Sequence, residues 1–130
     1  MVTEDRVAEL VDVHMTGPIE YGASDCCMAA ANVFRDLTGL DMMAPWRGRY
    51  RDEAVARAIL KSGGGLLRLV RHRARALKLR HGCGRAGEIG VVRGDNGDHV
   101  LAVCLGRDIW AGRIDGGYQT VQGAVTRCRV

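Results

Sequence analysis

Tyr21-Gly22-Ala23-Ser24-Asp25-Cys26-Cys27 runs straight into the apolar stretch Met28-Ala29-Ala30-Ala31-Asn32-Val33-Phe34. Ser24 and Asp25 are both good helix N-caps, so the spacing places Cys26 and Cys27 in the first turn of a helix. The first-turn amides of a helix point outward unpaired, and the macrodipole is positive there. That setting favours a thiolate over a thiol and so a reactive cysteine. A thiolate that attacks a carbonyl needs a base to hold a proton and return it to the leaving group. His99, at the start of the clearest strand pattern in the chain, is the histidine best placed for this. His14, His72 and His81 lie on an apolar helix stripe or inside a basic segment and are poorer candidates. The amide of Cys26 would donate to the oxyanion that develops. Tyr21, five residues upstream, is a candidate for substrate binding or oxyanion support, or equally for packing over the helix end.

Plainer readings stand beside these. A cysteine in an alanine-rich helix also fits a small core residue, and a histidine after a polar turn also fits a solvated one. Asp25 reads as structure, because a carboxylate next to a thiolate opposes its ionisation. A third group that orients the imidazole belongs on the strand after that of His99. Trp110 and Ala111 occupy that place, and neither carries an acceptor; Asp95, Asp98, Asp108 and Asp115 lie in turns nearby.

The elements that must bring Cys26 and His99 together follow from periodicity. Thr3 caps a helix to about His14, with Val7, Leu10, Val11 and His14 on one stripe. A second helix runs from about Asp25 to Leu37 and stops at Thr38-Gly39. Its buried stripe is Cys26, Ala30, Val33 and Leu37 with Phe34 alongside, which puts Cys26 near the centre and Cys27 towards the edge. Trp46-Arg47-Gly48-Arg49-Tyr50 reads as an ordered loop. Asp52 caps a helix to about Lys61 with Val55 and Ile59 inward, and Ser62-Gly63-Gly64-Gly65 breaks it. Leu66 to Arg80 reads as one basic amphipathic helix, with Leu66, Val70, Ala74 and Leu77 opposite Arg68, Arg71, Arg75 and Lys78. From Glu88 the period changes to two. Ile89, Val91 and Val92 lead to a turn at Asn96-Gly97, and His99, Leu101, Val103 and Leu105 share one face of the next strand. Short strands follow at 108–111, 118–121 and 125–129. Helices first and an antiparallel meander after them define an α+β chain, helices packed on one sheet face.

The chain has 130 residues, 47% hydrophobic and 26% charged, which suits one folded domain over 1–130. No apolar run of about 18 residues is present, so no membrane span is expected. The N-terminus, Met1-Val2-Thr3-Glu4-Asp5, is acidic and lacks the order of a signal peptide, which predicts synthesis in the cytoplasm. Five cysteines, two of them adjacent, with no C-x-x-C pair, argue against a disulfide framework and against a structural zinc site. No cofactor is implied. The net charge of +4 permits an anionic partner without requiring one. The basic segment 68–80 carries the weaker alternative of nucleic-acid binding, but no aromatic is interleaved with it, and a solvated helix face is the simpler expectation.

The order Tyr21-Gly22-x-x-Asp25-Cys26-Cys27, Thr38-Gly39-x-Asp41 and Trp46-Arg47-Gly48-Arg49-Tyr50 resembles a family of small phage and prophage proteins of uncharacterised function. Gly87-Glu88-Ile89-Gly90-Val91-Val92, Leu105-Gly106 and Asp115-Gly116-Gly117 fit its later parts, so the likeness runs from about residue 19 to 130. That family is in turn similar to the NlpC/P60 cysteine peptidases. Asp25-Cys26 matches their nucleophile position and His99-Val100-Leu101-Ala102 their histidine position, while Gly87-Glu88 stands where they have Gly-Asp. The resemblance implies a papain-like fold of the NlpC/P60 type. It also implies a thiol peptidase or amidase acting on peptidoglycan peptides, and a place in the phage virion among tail proteins. The alternative it carries is a structural component of the tail tip that keeps the fold without catalysis.

Overall fold

The computed structural model describes residues 2–130 as four helices and a six-stranded antiparallel sheet. The helices are α1 (Glu4–His14), α2 (Cys26–Thr38), α3 (Glu53–Ser62) and α4 (Leu66–Ala76), with a single 3-10 turn at Ala44–Trp46. The strands are β1 (Arg80–His81), β2 (Ile89–Arg93), β3 (His99–Gly106), β4 (Ile109–Ile114), β5 (Gly117–Gln122) and β6 (Thr126–Arg129). The class is α+β, as the change of period from helical to alternating predicts. Among the described residues no helix is long and apolar enough to cross a membrane.

Helix ends fall where cap chemistry puts them. Thr3, Asp25 and Asp52 each accept a first-turn amide, and Gly39 closes α2 at φ 79°. α4 differs from the sequence expectation: it ends at Ala76 rather than continuing to Arg80. Lys78 adopts φ 57°, the Leu79 amide reaches back to the Ala74 carbonyl and the Lys78 amide to that of Arg75. That is a Schellman closure with lysine in the position glycine usually fills. It frees Arg80 and His81 to pair with Arg129 and Cys128 of β6.

The sheet order is β1-β6-β2-β3-β4-β5. β2 to β5 form the expected meander, but β6 does not extend it. The chain returns across the sheet, and β6 inserts between β1 and β2. Ile89, Val91, Leu101, Val103 and Ala111 face the helices and join Val7, Val11, Met28, Val33 and Phe34 in the main core. α2 lies over β3 and β4, α1 packs on α2 and β3, and α4 covers β2 and β3. The other sheet face carries Val92, Ala102, Cys104 and Trp110, all buried. Trp110 sits here, across β3 from Gly90, where a Cβ would strike its ring and the Thr126 carbonyl.

α3 is different. It has no buried residue and packs extensively on no other element. Its inward side is Ala56, Ile59 and Leu60, not Val55, which is exposed.

Candidate active site

Asp25 organises the start of α2. It is 4% exposed, and its carboxylate accepts four hydrogen bonds. Oδ1 takes the amides of Cys27 (3.1 Å) and Met28 (3.2 Å); Oδ2 takes the Gly22 amide (2.7 Å) and the Tyr50 hydroxyl (2.9 Å). The Tyr50 hydroxyl stays protonated: burial first, and then the Asp25 carboxylate, push its pKa far above the ordinary phenol value. Gly22 is required as glycine, since φ is +87° and a Cβ would meet the Tyr50 carbonyl oxygen. Tyr50 therefore locks the loop before the helix to the helix cap, and sequence reasoning missed it. Its only local mark is an aromatic side chain between two arginines in an otherwise polar loop.

With the Cys27 and Met28 amides taken by Asp25, the Cys26 amide is the first-turn donor with no acceptor among the described residues. The Cys26 thiol is held below the ordinary thiol range. The main cause is the neighbouring Cys27 thiol, helped by the positive first turn of the helix and opposed by burial and Asp25. Cys27 is pushed the other way, well above the thiol range, by the Cys26 side chain and by burial. The adjacent pair is thus pushed in opposite directions, Cys26 towards the thiolate and Cys27 towards the thiol. Their burial reverses the helical-wheel expectation: Cys27 is 7% exposed, whereas Cys26 is only partly buried and borders the cavity. The wheel misjudged them because the first turns of α2 are enclosed on several sides, as the unbroken burial of Cys27 to Ala31 shows. Cys104 and Cys128 are buried, and burial raises both thiols; Cys83 is exposed.

Cys26 and His99 line one cavity of about 750 Å³, together with Tyr21, Trp46 and Tyr50. The Nε2 atom of His99 is buried and has no hydrogen-bond partner, so the imidazole is not bonded to Cys26 through that nitrogen. Tyr21 stands at the rim, 36% exposed, and its phenol is raised by burial first and then by Glu53.

The strand beside His99 supplies no acceptor on the site face. Trp110 turns to the opposite sheet face, where its indole N–H donates to Asp108 (2.7 Å). Ala111 lies in the main core opposite Val103, and the next residue in that phase is Arg113. Arg113 is 3% exposed and donates to the carbonyls of Ser24, Thr16, Gly17, Pro18, Ile114 and Gly117 at 2.7–3.2 Å. It ties the loop before α2 to the β4–β5 hairpin. The Ile19 amide donates to Asp115, and the Gly116 amide to the Gly17 carbonyl, completing the seam. The alternation Ile109, Ala111, Arg113 was the available signal, a cation in the core-facing phase of a strand. Arg47 and Arg73 do similar work on the opposite wall. Arg47 grips Asp41 at 2.6 and 3.0 Å, and Arg73 donates to the Asp41 and Met42 carbonyls.

Asp25, Cys26 and Cys27 could offer three metal-ligand atoms within 4.8 Å of one another. Asp25 is already saturated by four donors, which leaves two sulfurs, short of the four ligands a closed zinc site takes. The basic face of α4 is solvated as expected: Arg68, Arg71 and Arg75 are exposed, as is Lys78 just beyond the helix end.

An α+β chain with a capped helix opening on a cavity through a cysteine is the class that fold and site define. The chain belongs to a family described as a domain of unknown function, DUF6950, which it matches over residues 2–129. No curated protein and no solved structure matches it.

Proposed function

We propose that this protein is a thiol hydrolase of the papain-like, NlpC/P60 kind, with Cys26 as nucleophile and His99 as general base. The observation that carries the reading is the start of α2. One cysteine there is favoured as a thiolate by a neighbouring thiol and by first-turn amides, and it borders a cavity that a histidine with a free nitrogen also lines. In the reaction the Cys26 sulfur attacks the substrate carbonyl, and the Cys26 amide receives the oxyanion. His99 takes the Cys26 thiol proton and passes it to the departing group; water then attacks the thioester carbonyl as His99 takes its proton, and the carbon–sulfur bond breaks, the Cys26 sulfur leaving with that proton from His99. Tyr21 borders the entrance and contacts bound substrate. By the resemblance of Asp25-Cys26 and His99-Val100-Leu101-Ala102 to the peptidase motifs, the substrates are cell-wall peptides and the setting is a phage tail. The test is iodoacetamide labelling at neutral pH, followed residue by residue. Cys26 is expected to react faster than exposed Cys83; slower reaction at Cys26 refutes the reading.

A second reading has its own support. No acceptor on β4 faces His99, and Arg113 is spent on backbone carbonyls, as suits a tail component that keeps the fold without turnover. It predicts that Cys26→Ala leaves assembly and infectivity of the particle unchanged.

A further inference from the structure

The cavity beside Cys26 is larger and more apolar than a thiol, an imidazole and a peptide backbone need. Its volume of about 750 Å³ falls in the range of sites that enclose a small organic ligand. Met42, Trp46, Ile59, Leu60, Leu69 and Leu101 line it. The arginines at its walls are occupied. Arg73 and Arg113 donate to backbone carbonyls, and Arg57 is paired with Glu53 at 2.7 Å. Among the described residues Lys61, exposed on α3, is the one lining Lys or Arg left unbonded, so a ligand carboxylate has a single cation to meet. A separate observation concerns α3. Its Ile59 and Leu60 turn inward and touch the edge of the main core, yet remain only partly buried, because they also line the cavity. The part of that apolar face left facing the cavity gains by leaving water when an apolar ligand covers it.

We infer that the cavity holds an aliphatic acyl group, so that the thiol hydrolase proposed above takes the ester or amide of an apolar acid in place of the cell-wall peptide that the family resemblance suggests. The binding half stands on the cavity alone; the chemical half rests on the reading of Cys26 as nucleophile. In that half the Cys26 sulfur forms a bond to the acyl carbon as the carbon–oxygen or carbon–nitrogen bond breaks. The leaving group departs with the electron pair and takes from His99 the proton that came from the Cys26 thiol. Water then adds to the thioester carbonyl, the carbon–sulfur bond breaks, and the free acid is released.

The test separates the two halves. Cys26→Ala protein is titrated with the fluorescent fatty acid parinaric acid. Saturable binding is expected at one site, weakened at least tenfold by Leu60→Trp, which fills the space from a half-buried position; an unchanged circular-dichroism melt verifies that this variant is folded. No saturable binding, or binding indifferent to Leu60→Trp in the folded variant, overturns the assignment. Wild-type protein is then mixed with p-nitrophenyl acetate and p-nitrophenyl octanoate. Acylation of Cys26 is expected to be at least tenfold faster with the octanoate, and equal rates overturn acyl selection. Saturable binding with no acylation by either ester upholds the cavity assignment and refutes the thiol-hydrolase reading.

Discussion

Replacing Asp25 by alanine tests whether one carboxylate holds the site together. Alanine removes the N-cap of α2, which costs about 1 kcal/mol. It also leaves the Tyr50 hydroxyl, on a side chain only 6% exposed, without the acceptor it has at 2.9 Å, a further cost of about 2 kcal/mol. The sum, about 3 kcal/mol, corresponds to a fall in melting temperature on the order of 10 °C for a chain of this length. Tyr50→Phe alone removes the donor but leaves Oδ2 its bond from Gly22, so it is expected to cost about 1.5 kcal/mol. The informative quantity is the cycle. Once Asp25 is alanine, the Tyr50 hydroxyl is an unsatisfied buried group, and removing it should cost nothing or restore stability. Urea unfolding of the four proteins, followed by far-ultraviolet circular dichroism, measures each value. Additive effects of the two substitutions would refute the shared bond as the source of the cost. A loss under about 0.5 kcal/mol in Asp25→Ala, within the range of an ordinary surface change, would refute the whole account of the cap.

Cys27→Ala removes the thiol beside Cys26, so the Cys26 titration should move to higher pH and its alkylation at neutral pH should slow; rate against pH for wild type and variant measures this. Arg113→Met strips the donors from six carbonyls and should destabilise by about 3 kcal/mol or more, read as a lower urea midpoint, with Arg113→Lys recovering only part. The Arg127 guanidinium first, and then the Trp110 indole, hold the Asp108 carboxyl at about 2, below its ordinary 3.8. The folded state is thus favoured above about pH 4, and that contribution is lost as pH falls towards 2. Asp108→Asn should flatten the decline in melting temperature across that interval, and an unchanged slope would contradict the pairing.

What could be read from the sequence was what acts locally. Thr3, Asp25 and Asp52 announce helix starts because the cap and the amides it satisfies lie within three residues. Gly39 announces an end, and Asn96-Gly97 the β2–β3 turn. The end of α4 was misjudged because a lysine occupies the left-handed position that glycine advertises. β1 is two residues long, too short to show alternation, and exists because β6 offers it an edge. The return of β6 to β2 has no local signal at all. At the candidate site, Cys26 and His99 could be named from type and position, and both line the cavity. Tyr50 and Arg113 were not, because their partners are 25 residues away in one case and 89 to 97 for the loop carbonyls in the other. The division of labour between Cys26 and Cys27 depends on burial that a helical wheel cannot see when a helix end is enclosed on several sides.

The seam made by Arg113 also sets an order of events during synthesis. The loop that presents Cys26 is made early, but the guanidinium that anchors it is made only after most of the chain. Contacts of such long sequence separation form late, because the intervening chain must first be closed. While the helices are emerging and β4 has yet to follow, the carbonyls of Thr16 to Pro18 and Ser24 have no Arg113 to receive. The setting that favours the Cys26 thiolate is then unfinished. If Cys26 is the nucleophile proposed above, its setting is complete only when the β4–β5 hairpin docks, so a nascent or interrupted chain would carry it as an ordinary thiol.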